Sequence, residues 1–361
     1  MRAVVMQDGK LRVDDIAEPT PGPGEVLVDV LACGICGSDL HCAAHGREFN
    51  AATRGALGVE LMNLDEPVVF GHEFVGRVVS YGPYTTRRIP IGSRVVSVPA
   101  LLREQRLFLG FGGAEVPGAY AERMVLSEAL LIQVPDHVPT EIAALTEPLA
   151  VAYRTVAKAQ LGAHDVPLVV GCGPIGLAVI AVLRMQGERS IVAADFSPER
   201  RALAKRLGAD VVVDPAAQSP YEAWISAAAT DDPNQIANPT TILGQQPLRP
   251  TVAFECVGVP GIIQELIMGA PAGSRIVVAG LCMTPDTFQP TQAILKEIDM
   301  RFAVMYSPDE FARTFAHLVA GDFDVAPLLT GSVDLDGVAD AFERLGNSPS
   351  ETKILVDPTS R

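Results

Sequence analysis

Residues 167–183 read Pro-Leu-Val-Val-Gly-Cys-Gly-Pro-Ile-Gly-Leu-Ala-Val-Ile-Ala-Val-Leu, and this stretch decides the fold. An apolar strand pattern runs directly into a Gly-x-Gly-x-x-Gly turn, and an apolar helix pattern follows. In such a turn the first glycine permits a tight bend, the second lets the backbone approach a pyrophosphate, and the third lets helix and strand pack closely. The stretch therefore predicts a dinucleotide-binding turn at a helix N-terminus, formed by Gly171, Gly173, Pro174, Ile175 and Gly176.

An acidic residue stands at the second position that this kind of site uses. Asp195 ends the next apolar strand, about 20 residues past the last glycine, where a carboxylate can bind both hydroxyls of the adenine ribose. Because a carboxylate at this point repels a 2′-phosphate, the sequence favours NAD over NADP. Arg200 and Arg201 lie close by and keep NADP open, since arginines can favour the phosphate.

Working outward from the turn, strand patterns alternate with helix patterns. The strand patterns cover residues 167–170, 191–194, 211–213, 251–254 and 275–279, and helix patterns cover residues 198–207 and 262–268. Strands that alternate with helices indicate a parallel sheet with crossover helices. This part of the chain is therefore predicted to be an α/β domain.

The first 150 residues have a different character, with short β-type runs such as 25–30 and 94–98 between Gly- and Pro-rich turns. They predict a mostly β domain. The tail predicts helices at 308–319 and 337–345 and a strand at 353–356. Two segments, 43–66 and 230–248, look like insertions and are predicted to be long loops.

Bulk composition excludes several kinds of partner. The chain has 361 residues, with 28 Lys and Arg against 43 Asp and Glu, so its net charge of -15 argues against nucleic acid. The longest apolar run falls short of the ~20 residues that a membrane helix needs, and no secretory signal pattern opens the sequence. The six cysteines do not form a dense disulfide framework, which favours the reducing cytoplasm.

Potential metal ligands are concentrated in three places: Cys33 to His41, Gly71-His72-Glu73 and Thr146-Glu147-Pro148. Cysteine, histidine and carboxylates are the usual ligands of zinc, and a catalytic site leaves one position open. Cys33 and Cys36 form a Cys-x-x-Cys pair, but no second pair exists, which rules out a closed four-cysteine site. Taken singly, Cys36 and His72 could equally be core residues.

Together these motifs resemble a known family. Gly34-Ile35-Cys36-Gly37-Ser38-Asp39, Gly71-His72-Glu73-Phe74-Val75-Gly76, Glu147-Pro148-Leu149-Ala150 and the glycine turn follow one another as in the zinc-containing medium-chain dehydrogenases. That group includes alcohol, sorbitol and threonine dehydrogenases. The resemblance implies a GroES-like β domain over residues 1–150, completed by 301–361, and a Rossmann domain over 151–300.

The resemblance also implies roles for individual residues. The zinc ligands would be Cys36 and His72 with Glu73 or Glu147, the latter binding zinc directly or holding its water, as in the polyol and threonine branch. Asp39 would orient the ligand histidine, and Ser38 and His41 would relay the proton. Further cofactor contacts would come from Arg200, Val257, Gly258, Ala279, Gly280, Leu281 and Lys353.

The implied reaction is reversible hydride transfer between an alcohol and NAD, with zinc as a Lewis acid. The proton would leave through Ser38, the cofactor ribose and His41. A secondary alcohol or a polyol is the expected substrate, although the insertion at 43–66 leaves the pocket open. A homo-oligomer, dimer or tetramer, is expected.

One departure from the family concerns the second metal site. The lobe that holds a structural zinc in many members carries four cysteines, but residues 98–115 contain none, so at most one zinc per chain is expected. Two alternatives remain at this point: a metal-free reductase of the quinone or enoyl type, and a non-catalytic NAD-binding protein. Metal-free reductases lack the ligand set that this chain has in Cys36, His72 and Glu73, and a non-catalytic binding protein would not need Ser38 with His41.

Overall fold

The computed structural model describes residues 1–187, 189–237 and 246–360. The chain divides into two compact units. The first comprises Met1–Glu147, Ser307–Gly321 and Leu329–Arg361, and the second comprises Pro148–Tyr306 and Asp322–Leu328. Part of the loop predicted at 230–248 lies outside the described residues.

The strands of the described chain, in order, are β1 (Arg2–Gln7), β2 (Lys10–Asp15), β3 (Glu25–Gly34), β4 (Glu73–Tyr81), β5 (Arg94–Ser97), β6 (Ala100–Leu102), β7 (Arg106–Phe108), β8 (Arg123–Ser127), β9 (Leu131–Gln133), β10 (Val166–Val170), β11 (Val192–Ala194), β12 (Val211–Val213), β13 (Thr251–Glu255), β14 (Arg275–Val278), β15 (Asp299–Phe302), β16 (Leu329–Val333) and β17 (Lys353–Val356). The α-helices are α1 (Gly37–Leu57), α2 (Thr140–Ala143), α3 (Thr146–Ala159), α4 (Pro174–Met185), α5 (Pro198–Arg206), α6 (Pro220–Ala228), α7 (Ile262–Gly269), α8 (Pro290–Leu295), α9 (Pro308–Ala320) and α10 (Val338–Asn347). Two 3-10 turns lie at Glu128–Leu130 and Ala326–Leu328.

The first unit is built on a sheet of strand order β16-β17-β3-β4-β5-β9, with β8 paired to β3. The last strand, β17, lies antiparallel to β3, with Val356 opposite Cys33. Buried apolar residues of β3 and β4 enter one large apolar core that also takes up Val356 and Ile354. The end of the chain is thereby fixed beside the strand that leads to Cys36.

The second unit contains a parallel sheet of order β12-β11-β10-β13-β14-β15. Its central strand β10 is buried throughout, as expected for a strand covered by helices on both faces. The strand order reverses beside β10, which is where such sheets bind ligands at their carboxyl ends. The predicted α/β class is confirmed, and the glycine turn lies at this edge.

The predicted loop at 43–66 is wrong over most of its length, because α1 continues to Leu57 and ends at Gly58, whose φ is 77°. The helix has a kink at His45 and buries small and polar side chains rather than an apolar stripe. Asn50 replaces the missing apolar contacts, since its amide donates to the Met62 carbonyl (2.7 Å) and accepts from the Met62 N–H (3.2 Å). Periodicity of apolar residues cannot reveal such a helix.

Among the described residues, no helix combines the length and apolarity needed to cross a membrane.

Candidate functional site

Cys36 stands at the junction between β3 and the first turn of α1. Its backbone N–H donates to Asp39 Oδ2 at 3.1 Å, so the first turn of the helix fixes the orientation of the cysteine. The Asp39 side chain is completely buried. A buried carboxylate without partners is costly, which means that its oxygens must be used by neighbouring donors.

His72 supplies the second potential ligand, from the residue that precedes β4. Its Nδ1 lies 3.4 Å from Asp39 Oδ1, and neither atom has another partner. Burial alone lowers the pKa of His72, but Asp39 and Cys36 outweigh it and raise the pKa well above its usual value. With Nδ1 turned to the carboxylate, Nε2 is left for a metal ion, as in carboxylate–histidine–zinc arrangements.

Glu73, the residue after this histidine, is buried and paired with Lys353. The Lys353 ammonium donates to both Glu73 oxygens at 2.7 Å and to the Ile35 carbonyl at 2.9 Å. These three bonds use all of its protons. The Lys353 side chain is only 3% exposed, and its partners in the structure are Glu73 and Ile35. The sequence had predicted a contact with the cofactor.

The ligand atoms of Cys36, His72 and Glu73 all lie within 4.8 Å of one another, and in the described part of the chain they are the group placed to hold a metal ion. One thiol, one imidazole and one carboxylate form a donor set that suits zinc. The residues present thus fit the metal that the sequence implies.

Glu147 lies in the first turn of α3 and is 9% exposed. It is not part of the three-residue group, but its charge acts on the same region. Burial lowers the pKa of Lys353, and Glu73, Cys36 and Glu147 together outweigh that effect and raise it. Glu147 is therefore near enough to the cluster to contribute electrostatically.

The two predicted relay residues lie on α1. The Ser38 hydroxyl is 3.5 Å from His72 Nε2, at the ligand edge of the imidazole. His41 is half-buried one turn later, and burial together with His45 lowers its pKa below the usual 6.5. At neutral pH, His41 is consequently in the form that accepts a proton.

Sequence reasoning missed an aromatic stack on the same histidine. The Phe111 ring lies parallel to the His72 imidazole at 5.8 Å, and Phe49 stacks on Phe111 at 5.6 Å. Phe49 belongs to the part of α1 that the sequence predicted to be a loop, so no signal indicated this contact. Within residues 98–115, which contain no cysteine, β6 and β7 form a hairpin, and Arg103 between them pairs with Glu25 at 2.6 Å.

The three glycines of the turn after β10 have distinct environments. Gly171 has a φ of +88°, a conformation that other residues rarely adopt. A side chain on Gly176 would collide with the Gly171 carbonyl, whereas nothing lies within 4 Å of the position that a side chain on Gly173 would take. Pro174 and Ile175 form the first turn of α4. There is thus no room for a side chain at Gly171 or Gly176, whereas there is open space beside Gly173.

Asp195 lies at the carboxyl end of β11 and is bonded to this loop. Its Oδ2 accepts the Cys172 N–H at 2.7 Å, and its Oδ1 accepts the Ser197 N–H at 2.8 Å. Arg201 is occupied with the Asp195 and Phe196 carbonyls and with Asp214. By contrast, Arg200 has a buried Nε without a partner.

The remaining predicted cofactor residues meet at Glu255, the last residue of β13, which sequence reasoning did not single out. Its buried carboxylate accepts the N–H groups of Val257 (2.7 Å), Gly258 (2.8 Å) and Gly280 (3.2 Å). Ala279 also donates to the Glu255 carbonyl. One acidic side chain thus holds the loops after β13 and β14 together, and Leu281 is 43% exposed beside them.

Comparison with known proteins identifies the family. Residues 22–136 match the alcohol dehydrogenase GroES-like domain, and residues 174–320 match the zinc-binding dehydrogenase domain. The chain is 34% identical to (R,R)-butanediol dehydrogenase of Bacillus subtilis, with 96% of each chain covered. It is 29% identical to sorbitol dehydrogenase of Homo sapiens over 94% of this chain and 91% of the relative.

Solved structures give the same result. The crystal structure of 2R,3R-butanediol dehydrogenase from Bacillus subtilis superposes with a TM-score of 0.80 at 31% identity, covering 99% of both chains. A zinc-binding dehydrogenase from Sinorhizobium meliloti, bound to NADP, has a TM-score of 0.79 at 25% identity and the same coverage. The predicted GroES-like and Rossmann architecture is confirmed, and the chain belongs to the zinc-containing medium-chain alcohol dehydrogenase family.

Proposed function

We propose that the chain is a zinc-dependent, NAD-linked dehydrogenase that oxidises a secondary alcohol, with diols and polyols as its substrate class. The observation that carries the proposal is the group formed by half-buried Cys36 with buried His72 and Glu73. The metal-free reductases of the same superfamily lack such a ligand set. Butanediol and sorbitol, after which the relatives are named, both carry secondary hydroxyls beside a second hydroxyl group, which supports this substrate class.

One zinc ion per chain would be held by Cys36 and His72 with a carboxylate from Glu73 or Glu147. When bound, zinc supplies Lewis-acid chemistry, which stabilises the negative charge that develops on an alcohol oxygen. Asp39 keeps the His72 imidazole in the orientation that presents Nε2. Lys353 neutralises Glu73, so the excess negative charge around the cluster is reduced.

The proton of the alcohol leaves through residues of α1. The Ser38 hydroxyl lies at the ligand edge of His72 and can accept and pass on a proton. His41 is half-buried, and its lowered pKa keeps it neutral above pH 6.5. It is therefore suited to take the proton and release it to solvent.

The second unit would bind NAD through the glycine turn, which offers backbone N–H groups and the N-terminus of α4 to the pyrophosphate. Asp195 supports NAD rather than NADP, because its carboxylate lies at the end of β11 and repels a 2′-phosphate. When bound, the nicotinamide accepts the hydride.

We also propose that the chain forms a homo-oligomer through the open edge of the parallel sheet. Strand β15 is the edge strand, and apolar side chains near it are strongly exposed: Phe302 (63%), Val304 (76%) and Leu295 (76%). Exposed edges of this kind are usually covered. Sedimentation equilibrium would then give twice or four times the mass of one chain, whereas a monomer would contradict the proposal.

The activity is tested with a panel of secondary alcohols, vicinal diols and polyols, each with NAD and with NADP. The wild-type enzyme is compared with Cys36→Ala and with Cys282→Ala, a matched substitution of a half-buried cysteine in the other unit. We expect NAD reduction that Cys36→Ala abolishes and Cys282→Ala retains. Full activity in Cys36→Ala, or no oxidation of any alcohol by an enzyme that binds zinc and NAD, would overturn the proposal.

A further inference from the structure

Tyr120 is a buried tyrosine whose hydroxyl bonds to Asp39, the carboxylate that lies beside the ligand His72. It donates to Asp39 Oδ2 at 2.6 Å, although the two residues are 81 positions apart in the chain. The Tyr120 side chain has no exposed surface, and neither has Asp39. The bond is therefore shielded from water, where a hydrogen bond to a charged group contributes most.

The two oxygens of the Asp39 carboxylate have different partners. Oδ2 accepts the Tyr120 hydroxyl and the Cys36 N–H, while Oδ1 faces His72 Nδ1 at 3.4 Å. With two donors on one oxygen, the carboxylate cannot turn without breaking both bonds. The orientation of Oδ1, and with it the orientation of the imidazole, thus depends on the tyrosine hydroxyl.

Tyr120 is itself held in place by backbone hydrogen bonds and by contacts of its ring. Its N–H donates to the Phe70 carbonyl at 2.9 Å, and its carbonyl accepts the Val4 N–H at 2.7 Å. The ring packs edge-on against Phe342 at 6.2 Å. Gly71, which directly precedes His72, has no side chain to collide with the tyrosine ring, and its φ of +102° suits only glycine.

We propose that Tyr120 is a positioning residue for the zinc ligand His72, acting through Asp39, and that its hydroxyl increases the affinity of the site for zinc. The inference rests on the proposed function only in requiring that the cluster binds zinc. Without the Tyr120 hydroxyl, Asp39 Oδ2 would keep the Cys36 N–H as its donor, and the carboxylate could turn about that single bond. With both donors in place, the carboxylate keeps the orientation in which His72 Nε2 points to the metal position.

The test is the zinc affinity of Tyr120→Phe, measured by competition with a chromophoric chelator. Phenylalanine keeps the ring and removes only the hydroxyl. Tyr81→Phe is the matched control, because Tyr81 also donates a hydroxyl to a protein acceptor, the Ile89 carbonyl, away from the cluster. We expect zinc affinity to fall by about 10- to 100-fold in Tyr120→Phe and to stay unchanged in Tyr81→Phe.

A double-mutant cycle separates positioning from general stability. In an Asp39→Asn background, Tyr120→Phe should cost little further zinc affinity, since the carboxylate through which it acts is gone. Thermal unfolding of the metal-free variants is measured in parallel. An unfolded metal-free Tyr120→Phe, or an additive loss in the double variant, would make the hydroxyl a general structural group and overturn the inference.

The remaining outcomes distinguish the two proposals. Unchanged zinc affinity in Tyr120→Phe, with normal binding by the wild-type protein, would overturn the role of Tyr120 alone. No zinc binding by folded wild-type protein would overturn the proposed function, and this inference with it.

Discussion

The metal-ligand cluster and the glycine turn are built in opposite ways. Around Cys36 and His72 the interior is filled with charged and polar side chains, and each is held by a buried partner: Asp39 by Tyr120, and Glu73 by Lys353. In the turn at 171–176 three of the six residues are glycines, and Gly173 faces open space. The cluster is therefore sensitive to the removal of groups and the turn to their addition.

The largest effect is expected where a buried charge loses its partner. Lys353→Met should destabilise the protein by about 3–5 kcal/mol, because Glu73 would keep its charge in the core without compensation. Arg2→Met, which breaks the exposed ion pair with Asp336, should lower the free energy of unfolding far less, because solvent screens that pair. Urea unfolding of both variants measures the difference, and equal losses would show that burial is not what makes the cluster sensitive.

The glycine turn allows a matched pair of additions. Gly176→Ala should destabilise the protein by about 1–3 kcal/mol, because its methyl group would collide with the Gly171 carbonyl. Gly173→Ala should leave stability within about 0.5 kcal/mol and still weaken cofactor binding by on the order of 10-fold, since the backbone approaches the pyrophosphate there. Calorimetric unfolding and NADH titration measure the two quantities. Normal NADH binding by Gly173→Ala would remove the turn from the cofactor site.

Asp195 tests charge rather than space in the dinucleotide unit. Asp195→Asn keeps the shape and one of the two backbone acceptors but removes the charge, so the preference for NAD over NADP should fall by about 10-fold. The kcat/KM ratio for the two cofactors measures this preference, and Asp299→Asn on the edge strand is the control. A preference for NADP in the wild-type enzyme would contradict the proposed cofactor.

An effect of the same order is expected for the relay on α1. Burial lowers the pKa of His41 below 6.5, so its neutral form persists at neutral pH and is lost only as pH falls through that lowered pKa. Alcohol oxidation should therefore decline on the acid side of pH 6.5. His41→Gln should reduce kcat by about 10-fold and remove its share of this dependence, whereas exposed His137→Gln should change neither. An unaltered pH profile in His41→Gln would exclude the relay role.

The two regions also differed in how far sequence predicted them. The glycine turn is local: strand, turn and helix are contiguous in the chain, and the backbone leaves no room for a side chain at Gly171 and Gly176, so the order of residues was sufficient. The partners of the cluster are far apart, with Lys353 and Glu73 separated by 280 positions. No local pattern could indicate that Lys353 forms an ion pair with Glu73, or that the Tyr120 hydroxyl bonds to Asp39.

The prediction of a loop at 43–66, where α1 lies, was wrong for a related reason. The buried residues of α1 include Asp39, Cys42, Asn50 and Thr53, which form no apolar stripe. The helix is stabilised by tertiary bonds such as those of Asn50 with Met62, and a sequence pattern carries no record of them. Consequently the aromatic contact of Phe49 beside His72 also went unnoticed.

The most direct test of the account is the metal content of the protein, measured by elemental analysis after purification without added metal. We expect about one zinc per chain in the wild-type protein and almost none in Cys36→Ala, with zinc retained in Cys282→Ala. Folded wild-type protein that binds NADH but contains no zinc, or a Cys36→Ala variant that keeps its zinc, would contradict the central claim that Cys36 and His72 form a zinc site.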